Sequence, residues 1–404
     1  MVAIVTDVNF KMALAIIRDL GEQGVTIIAC QSDNRKNDLS ADPLGFNSKY
    51  VSQKKWLTNM ENSEEKYIED LLNVCQEASK NSNQPCVLIP VGAKTLQLLA
   101  RKETRERFSG VGLCIPTQEQ LDLFNGKKEV AELAEQLGIP VPKSYEFNEQ
   151  GSVDDFLNTI QLPCVVKPNC GEKLNLKAAE RYAIVKDADT LKEKFKYFYD
   201  LEKQPPIVQE YVGGDGYGFS VLAENGQIID TICHKRIREY PAAGGPSTCC
   251  ISQEVGVLEE YAKKMIKSVG YTGVAMLEFK ATEDGVFKIL EINPRVWGTY
   301  PLTRIAKTKF TYNWFVLASN SVNDKKLDLQ LMQTRKENIK MRYIFADLRA
   351  ILGYQKAQQS KRAFQVILDL FNLSIRDGVI EMKDMKASMY YILSLFSKAH
   401  KKVD

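Results

Sequence analysis

The sequence predicts a mixed α/β and α+β protein: a parallel α/β domain first, antiparallel α+β units after it, and a mostly helical C-terminal extension. Three observations carry this. Residues 1 to about 115 alternate short apolar strands with helical stretches, the pattern of a parallel sheet wrapped by helices. Asn225-Gly226 and Asp284-Gly285 each separate two β-rich runs, which marks antiparallel hairpins. The last 80 or so residues hold one strand-like run, KMRYIF, among amphipathic helical stretches. A chain of 404 residues exceeds one core, and the changes of pattern place domains at about 1–115, 116–325 and 326–404.

Composition excludes several classes. Net charge is +3, from 54 basic and 51 acidic residues, so a general polyanion or nucleic-acid binder is not indicated. The nine cysteines include no Cys-x-x-Cys pair and one vicinal pair, Cys249-Cys250. That argues against a zinc ribbon or a secreted disulfide framework and for reduced thiols in a cytoplasmic protein. No apolar run reaches the roughly 20 residues of a membrane span, and the N-terminus lacks a signal peptide's charged and apolar regions. With His234 and His400 as the only histidines, His-based metal sites and a Ser-His-Asp triad are poorly supported.

In the first domain, VAIVT, VTIIAC and CVLIPVG read as strands, with helices near 10–20, 63–80 and 93–102. The first turn, TDVNFKMA, lacks G-x-G-x-x-G, so a nicotinamide site is not supported. The loops Asp7 to Phe10 and Val91 to Lys94 lie at the carboxyl edge, where open sheets bind ligands.

From Thr117 a helical stretch runs to Gly138, stopped by Pro140, with Lys127 and Lys128 inside it. In CVVKPNCGEK, Lys167 ends a β-rich run beside a glycine-containing turn, where an ammonium and exposed N–H groups suit phosphate oxygens. The strand IVQEYV leads into the bend GGDGYG and the Asn225-Gly226 hairpin. An open strand end of this kind offers a carbonyl and an N–H to a flat base. In HKRIRE, alternation puts Arg236 and Arg238 on one face and Lys235 on the other, as anion contacts or as edge-strand charge.

The most informative stretch is Val274 to Pro301. A two-residue turn at Asp284-Gly285 pairs Glu283 with Val286 and sets Glu278 opposite Glu291, with Asn293 following on the same face. Ala275, Leu277 and Phe279 then face the core with Val286, Leu290 and Ile292. Facing carboxylates repel unless a cation lies between them. Either the glutamates are a solvated hairpin face, or two acids and an amide oxygen hold a hard ion such as Mg2+.

Taken together, Lys127, VVKP with Lys167, Gln209-Glu210-Tyr211-Val212, Glu278 and Glu291-x-Asn293-x-Arg295 resemble the ATP-grasp superfamily, nearest to its carboxylate-amine ligases and the synthetase units of carbamoyl-phosphate synthase and biotin carboxylase. The resemblance implies an ATP-grasp fold of two small α+β subdomains clamping ATP. It implies that Lys127 and Lys167 hold phosphates and that Gln209, Glu210, Tyr211 and Val212 line the adenine site, Glu210 and Val212 through their backbones. Glu278, Glu291 and Asn293 would hold Mg2+, with Mn2+ as the substitute, and Arg295 would steady the transferring phosphoryl group. Arg236 and Arg342 would be further anion contacts, Arg342 toward the substrate. His234 stands where some relatives touch ribose. The usual ribose carboxylate position holds Tyr217, for which Asp215 is the substitute, and Lys173 adds charge to a phosphate loop poor in glycine. The partners implied are a small-molecule carboxylate and an amine. The apolar tail from Met382 reads as a packing or homodimer helix, or as one lying on a membrane surface.

Overall fold

The computed structural model describes the chain except residues 35–41, 149–150, 170–173, 175, 177–179, 181, 242–244, 331–336, 357 and 401–404, and omits the side chains of 356 and 396–400. Strands β1 (Val2–Val5), β2 (Thr26–Ser32), β3 (Val51–Leu57) and β4 (Val87–Ile89) form a parallel sheet in the order β3-β2-β1-β4. Alternate residues enter two cores, Ala3 and Val5 one and Ile4 the other, which explains the unbroken apolar runs. The sequence pattern did not reveal β3. VSQKKWL is an edge strand whose lysines blunt its free side.

A second, antiparallel sheet holds β5 (Ser144–Tyr145), β6 (Cys164–Lys167), β7 (Ala183–Val185) and β8 (Ile207–Glu210) in the order β5-β8-β6-β7. The third holds β9 (Gly216–Glu224), β10 (Gln227–Glu239), β11 (Ser247–Ser252), β12 (Gly273–Ala281), β13 (Phe287–Asn293), β14 (Lys340–Arg342) and β15 (Arg376–Asp377). Its order is β13-β12-β9-β10-β11-β14-β15, antiparallel except for the last pair. Helix Gly256–Ser268 covers one face through Leu258, Ala262, Met265 and Ile266.

The two hairpins differ. At Asn225-Gly226 both residues have positive φ, 49° and 80°, and Glu224 pairs with Gln227, the two-residue turn expected. At the second hairpin only Gly285 does, at 83°. Its N–H donates to the Thr282 carbonyl at 3.0 Å, and the Thr282 N–H donates to the Val286 carbonyl at 2.8 Å. The loop therefore has three residues, and Ala281 pairs with Phe287, one step out of the expected register. A β-bulge at Leu290 then restores it, so Glu278 does face Glu291. The slip also puts Ile289, not Leu290, into the core beside Ile292 and leaves Val286 exposed.

The helical stretch after Thr117 breaks at Gly126 into helices Gln118–Asn125 and Lys127–Gln136, making Lys127 the first residue of the second. At the C-terminal end, helices Ile344–Lys356 and Ser360–Leu370 pack through Ala350, Tyr354, Ala363 and Val366. Arg238 anchors them to β10: its guanidinium meets Asp347 and Asp369 at 2.6 Å each, with all three side chains buried. A second buried pair ties the first helix, Lys11–Glu22, to a short turn far along the chain. Arg18 Nε donates to Asp384 Oδ2 at 2.9 Å and Nη1 to the Val379 carbonyl at 2.6 Å. Asp384 also accepts from the Ser48 hydroxyl at 2.8 Å and the Lys49 N–H at 2.9 Å.

Candidate active site

One face of the third sheet carries the candidate chemistry. Glu291, Glu278, Gly218 and His234 are cross-strand neighbours in one row over β13, β12, β9 and β10. Gly218 has no room for a side chain: a Cβ there would lie 2.3 Å from His234 Cε1 and 2.9 Å from Met276 Sδ. Gly218 thus lets the His234 ring and Met276 pack closely over β9, between the carboxylates and the basic residues of β10. Arg236 reaches Glu278 across β9 at 2.7 Å and Glu239 at 3.4 Å. Burial opposes the Arg236 charge, but Glu278 and Glu239 outweigh it and raise its pKa. Burial pushes the Glu278 carboxyl up, Arg236 draws it down, and Glu291 pushes it up again. The cation that facing glutamates require is supplied on one side by this arginine.

Lys167 reaches the same place from the end of β6. Burial, and then the like charge of Lys127, lower its ammonium pKa to about 8, while Glu291 and Glu278 offset part of the shift. Residues 127, 167, 278 and 291, from four separate segments, thus share one electrostatic neighbourhood. Asn293 Nδ2 donates to Glu291 Oε1 at 3.2 Å. Beyond Asn293 the backbone folds tightly, the Arg295 N–H donating to the Asn293 carbonyl at 2.8 Å, and Arg295 Nη1 donates to the Val296 carbonyl at 3.2 Å. Trp297, buried and packed edge-on against Phe310, and Tyr343, whose hydroxyl donates to the Gly298 carbonyl, pin this loop.

On β8, Glu210 joins the second sheet to the third. Lys288 lies 2.8 Å from both of its carboxylate oxygens, and the Lys143 N–H donates to it at 3.0 Å. Burial works against the Glu210 carboxylate, but Lys288 and Lys143 prevail and lower its pKa. The Glu210 N–H donates to the Lys143 carbonyl and the Tyr211 N–H to the Pro163 carbonyl. The strand end therefore offers the Glu210 carbonyl and the Val212 N–H, which is without a partner among the described residues.

Other residues sit differently from the sequence reading. His234 is buried, Nε2 shares a hydrogen bond with the Thr299 hydroxyl at 3.1 Å, and burial followed by the Arg236 charge lowers its pKa to about 3. It is a neutral interior residue and not a surface for ribose. Arg342 is buried too, with Nη1 donating to the Asp369 carbonyl of the C-terminal helices and Nε without a hydrogen-bond partner among the described residues. Asp215, the ribose substitute, pairs with Lys235 at 2.5 Å, and Gln209 donates to the Ser144 hydroxyl at 3.0 Å. Arg236 and Arg238 do not act alike: the ladder slips between them, and they take different carboxylates. Asp7 is held by the Gly92 N–H and the Thr95 hydroxyl, so that loop's carboxylate serves the sheet edge itself. Lys173 lies outside the described residues.

The donor set suits a hard ion. Two facing carboxylates and a nearby amide give oxygen donors only, too few to complete a shell unless ligand oxygens are added. Among the described residues no group of three His, Cys, Asp or Glu side chains forms a metal cage.

Residues 202–344 match the family model described as ATP-grasp in the biosynthetic pathway with Ter operon. The carbamoyl phosphate synthase large chain of Acidobacterium capsulatum is 23% identical over 242 residues, 58% of this chain and 21% of that protein. The chain thus spans about a fifth of that relative's length. Among solved structures, a biotin carboxylase–β,γ-ATP complex from Campylobacter jejuni superposes with a TM-score of 0.63 at 15% identity, covering 84% of this chain and 74% of that one. An L-amino acid ligase from Bacillus licheniformis gives 0.54 at 13% identity, covering 80% and 74%.

Proposed function

We propose, for a chain that belongs to the ATP-grasp superfamily, that it is an ADP-forming ligase which phosphorylates a substrate carboxylate and passes the acyl group to an amine. The observation that carries this reading is the convergence of Lys167 with Lys127, Glu278 and Glu291, with the open strand end at Glu210 to Val212 at the opposite end of the β6–β8 ladder, where Cys164 pairs with Glu210 and Lys167 with Ile207. That combination suits a nucleotide with its base at the strand end and its phosphates over the lysines. The L-amino acid ligase neighbour supports the amide-forming outcome.

In this reading Lys127 and Lys167 hold the phosphates, and Arg295 offsets charge on the transferring group. Glu278, Glu291 and Asn293 would hold Mg2+, or Mn2+, which when bound neutralises phosphate oxygens. Arg236 keeps the Glu278 carboxylate fixed until the nucleotide arrives. Transfer to the carboxylate gives an acyl-phosphate with a good leaving group, which an amine nitrogen then displaces. The chain supplies position and charge, so no nucleophilic side chain is required.

A screen of carboxylic acid and amine pairs for ADP release, with products identified by mass, tests the proposal. ADP formation that needs both partners supports it. The likeness to carbamoyl phosphate synthase favours a second reading, phosphorylation of bicarbonate, and turnover sustained by bicarbonate alone would select that one. No ADP with any pair would leave a nucleotide-binding module.

The Lys167 ammonium gives a pH signature. It is charged below about 8 in the free protein and neutral above. kcat/KM for ATP is therefore expected to fall about tenfold per pH unit above that value. Because folding lowers this pKa from 10.5, the residue costs stability below about 8, and the cost fades as pH rises toward 10.5. A pH–rate profile flat through this region would remove Lys167 from the phosphate site.

A further inference from the structure

More than half of the large hydrophobic side chains exposed among the described residues fall between Leu348 and Leu393. Single exposed apolar residues are ordinary on a protein surface; a cluster is not. On helix Ser360–Leu370, Phe364 and Leu368 stand outward, 60% and 49% exposed, and Phe371 and Leu373 just beyond it reach 82% and 89%. The spacing Lys361, Phe364, Leu368, Phe371 is three, four and three, which aligns them on one helical face with the lysine at its N-terminal end. Leu352, 63% exposed, adds to the apolar surface from the preceding helix.

The charges of this hairpin are sorted. Its two acids, Asp347 and Asp369, are buried and both paired with Arg238. Its cations Arg349, Lys361 and Arg362 are all exposed. Pairing the acids inward leaves an outer surface that is apolar and purely positive. At the inter-helix turn an open groove is lined by Gln358, Gln359, Ser360, Lys361 and Arg362, where the helix Ser360–Leu370 begins with no side-chain cap. The Lys361 ammonium and the Arg362 guanidinium beside uncapped N–H groups suit a phosphate oxygen.

We propose that the hairpin Ile344–Lys356/Ser360–Leu370 docks the protein on the surface of an anionic phospholipid bilayer, with Phe371 and Leu373 entering the acyl boundary and Lys361 and Arg362 meeting headgroup phosphates. Charge selects this occupant. A second copy bound face to face would set three cations against their own counterparts, whereas an anionic bilayer offers apolar depth and negative charge together. The carboxylate cluster and the lysine site lie on other elements, so docking leaves the ligase surface untouched.

Cosedimentation of the full chain with vesicles tests this, comparing phosphatidylcholine alone with phosphatidylcholine containing about one-third phosphatidylglycerol. Binding is expected to the anionic vesicles only and to weaken as salt is raised. F371S/L373S, at positions too exposed to disturb the core, is expected to weaken binding about tenfold or more. K361E/R362E is expected to do the same, each lost cation counting for about fivefold. ADP formation in solution should be unchanged in both, with circular dichroism confirming the fold. Absent or equal binding to the two vesicle types would overturn the proposal, and so would binding to anionic vesicles that ignores both variants. A dimer in the ultracentrifuge that F371S/L373S dissociates would assign the face to a second copy instead.

Discussion

Glu291→Gln is expected to lower ADP formation by about 10³-fold, from the loss of one charged ligand where phosphate charge must be neutralised. Folding should be little affected. Glutamine keeps an oxygen to accept from Asn293, which donates to Glu291 Oε1 at 3.2 Å. The change also relieves repulsion, since Glu291 faces Glu278 across the ladder. A second readout separates this from general damage. Glu291 is one of two carboxylates that support the Lys167 charge, so without it the alkaline limb of the remaining activity should move below pH 8. A variant that keeps substantial turnover, or loses it only by unfolding, would remove Glu291 from the metal site.

Arg238→Met is expected to destabilise the protein by about 3–5 kcal/mol, the range for removing one partner of a buried ionic set. Asp347 and Asp369 would be left buried without the guanidinium that touches each at 2.6 Å. Asp347 keeps only weaker support, such as the Thr248 hydroxyl at 2.8 Å. Urea unfolding should show a lower midpoint. Combining Arg238→Met with Asp347→Asn and Asp369→Asn should recover a large part of the loss, because the stranded charges go with the arginine. If the single variant were as stable as the parent, this anchor would not hold the C-terminal helices to β10.

The hairpin shows how far the sequence could be read. Glu278 faces Glu291 as the sequence suggested, but through two slips of one residue that cancel, a three-residue turn at Gly285 and a bulge at Leu290. Neither has a pattern that separates it from the simpler two-residue turn, so the pair was legible and the path was not. A strand end was readable because local chemistry specifies it. Pro168 ends the strand bearing Lys167, as read, whereas the break at Gly126 that makes Lys127 the first residue of its helix was not foreseen. Basic side chains inside strands were not readable. Arg236, Arg238 and Arg342 look alike in one dimension, and their roles depend on which distant carboxylate or carbonyl each meets. His234 became an interior residue for a comparable reason, since its neighbours Gly218 and Thr299 come from other segments. The glycine alternation in GYGF was the one available signal for this close packing, and it reads equally well as a plain bend.

The Arg18–Asp384 pair bears on the order in which the protein is made. The guanidinium leaves the ribosome 366 residues before the carboxylate that neutralises it. The contact between the first helix and the turn at Asp384 is therefore among the last that the growing chain can make.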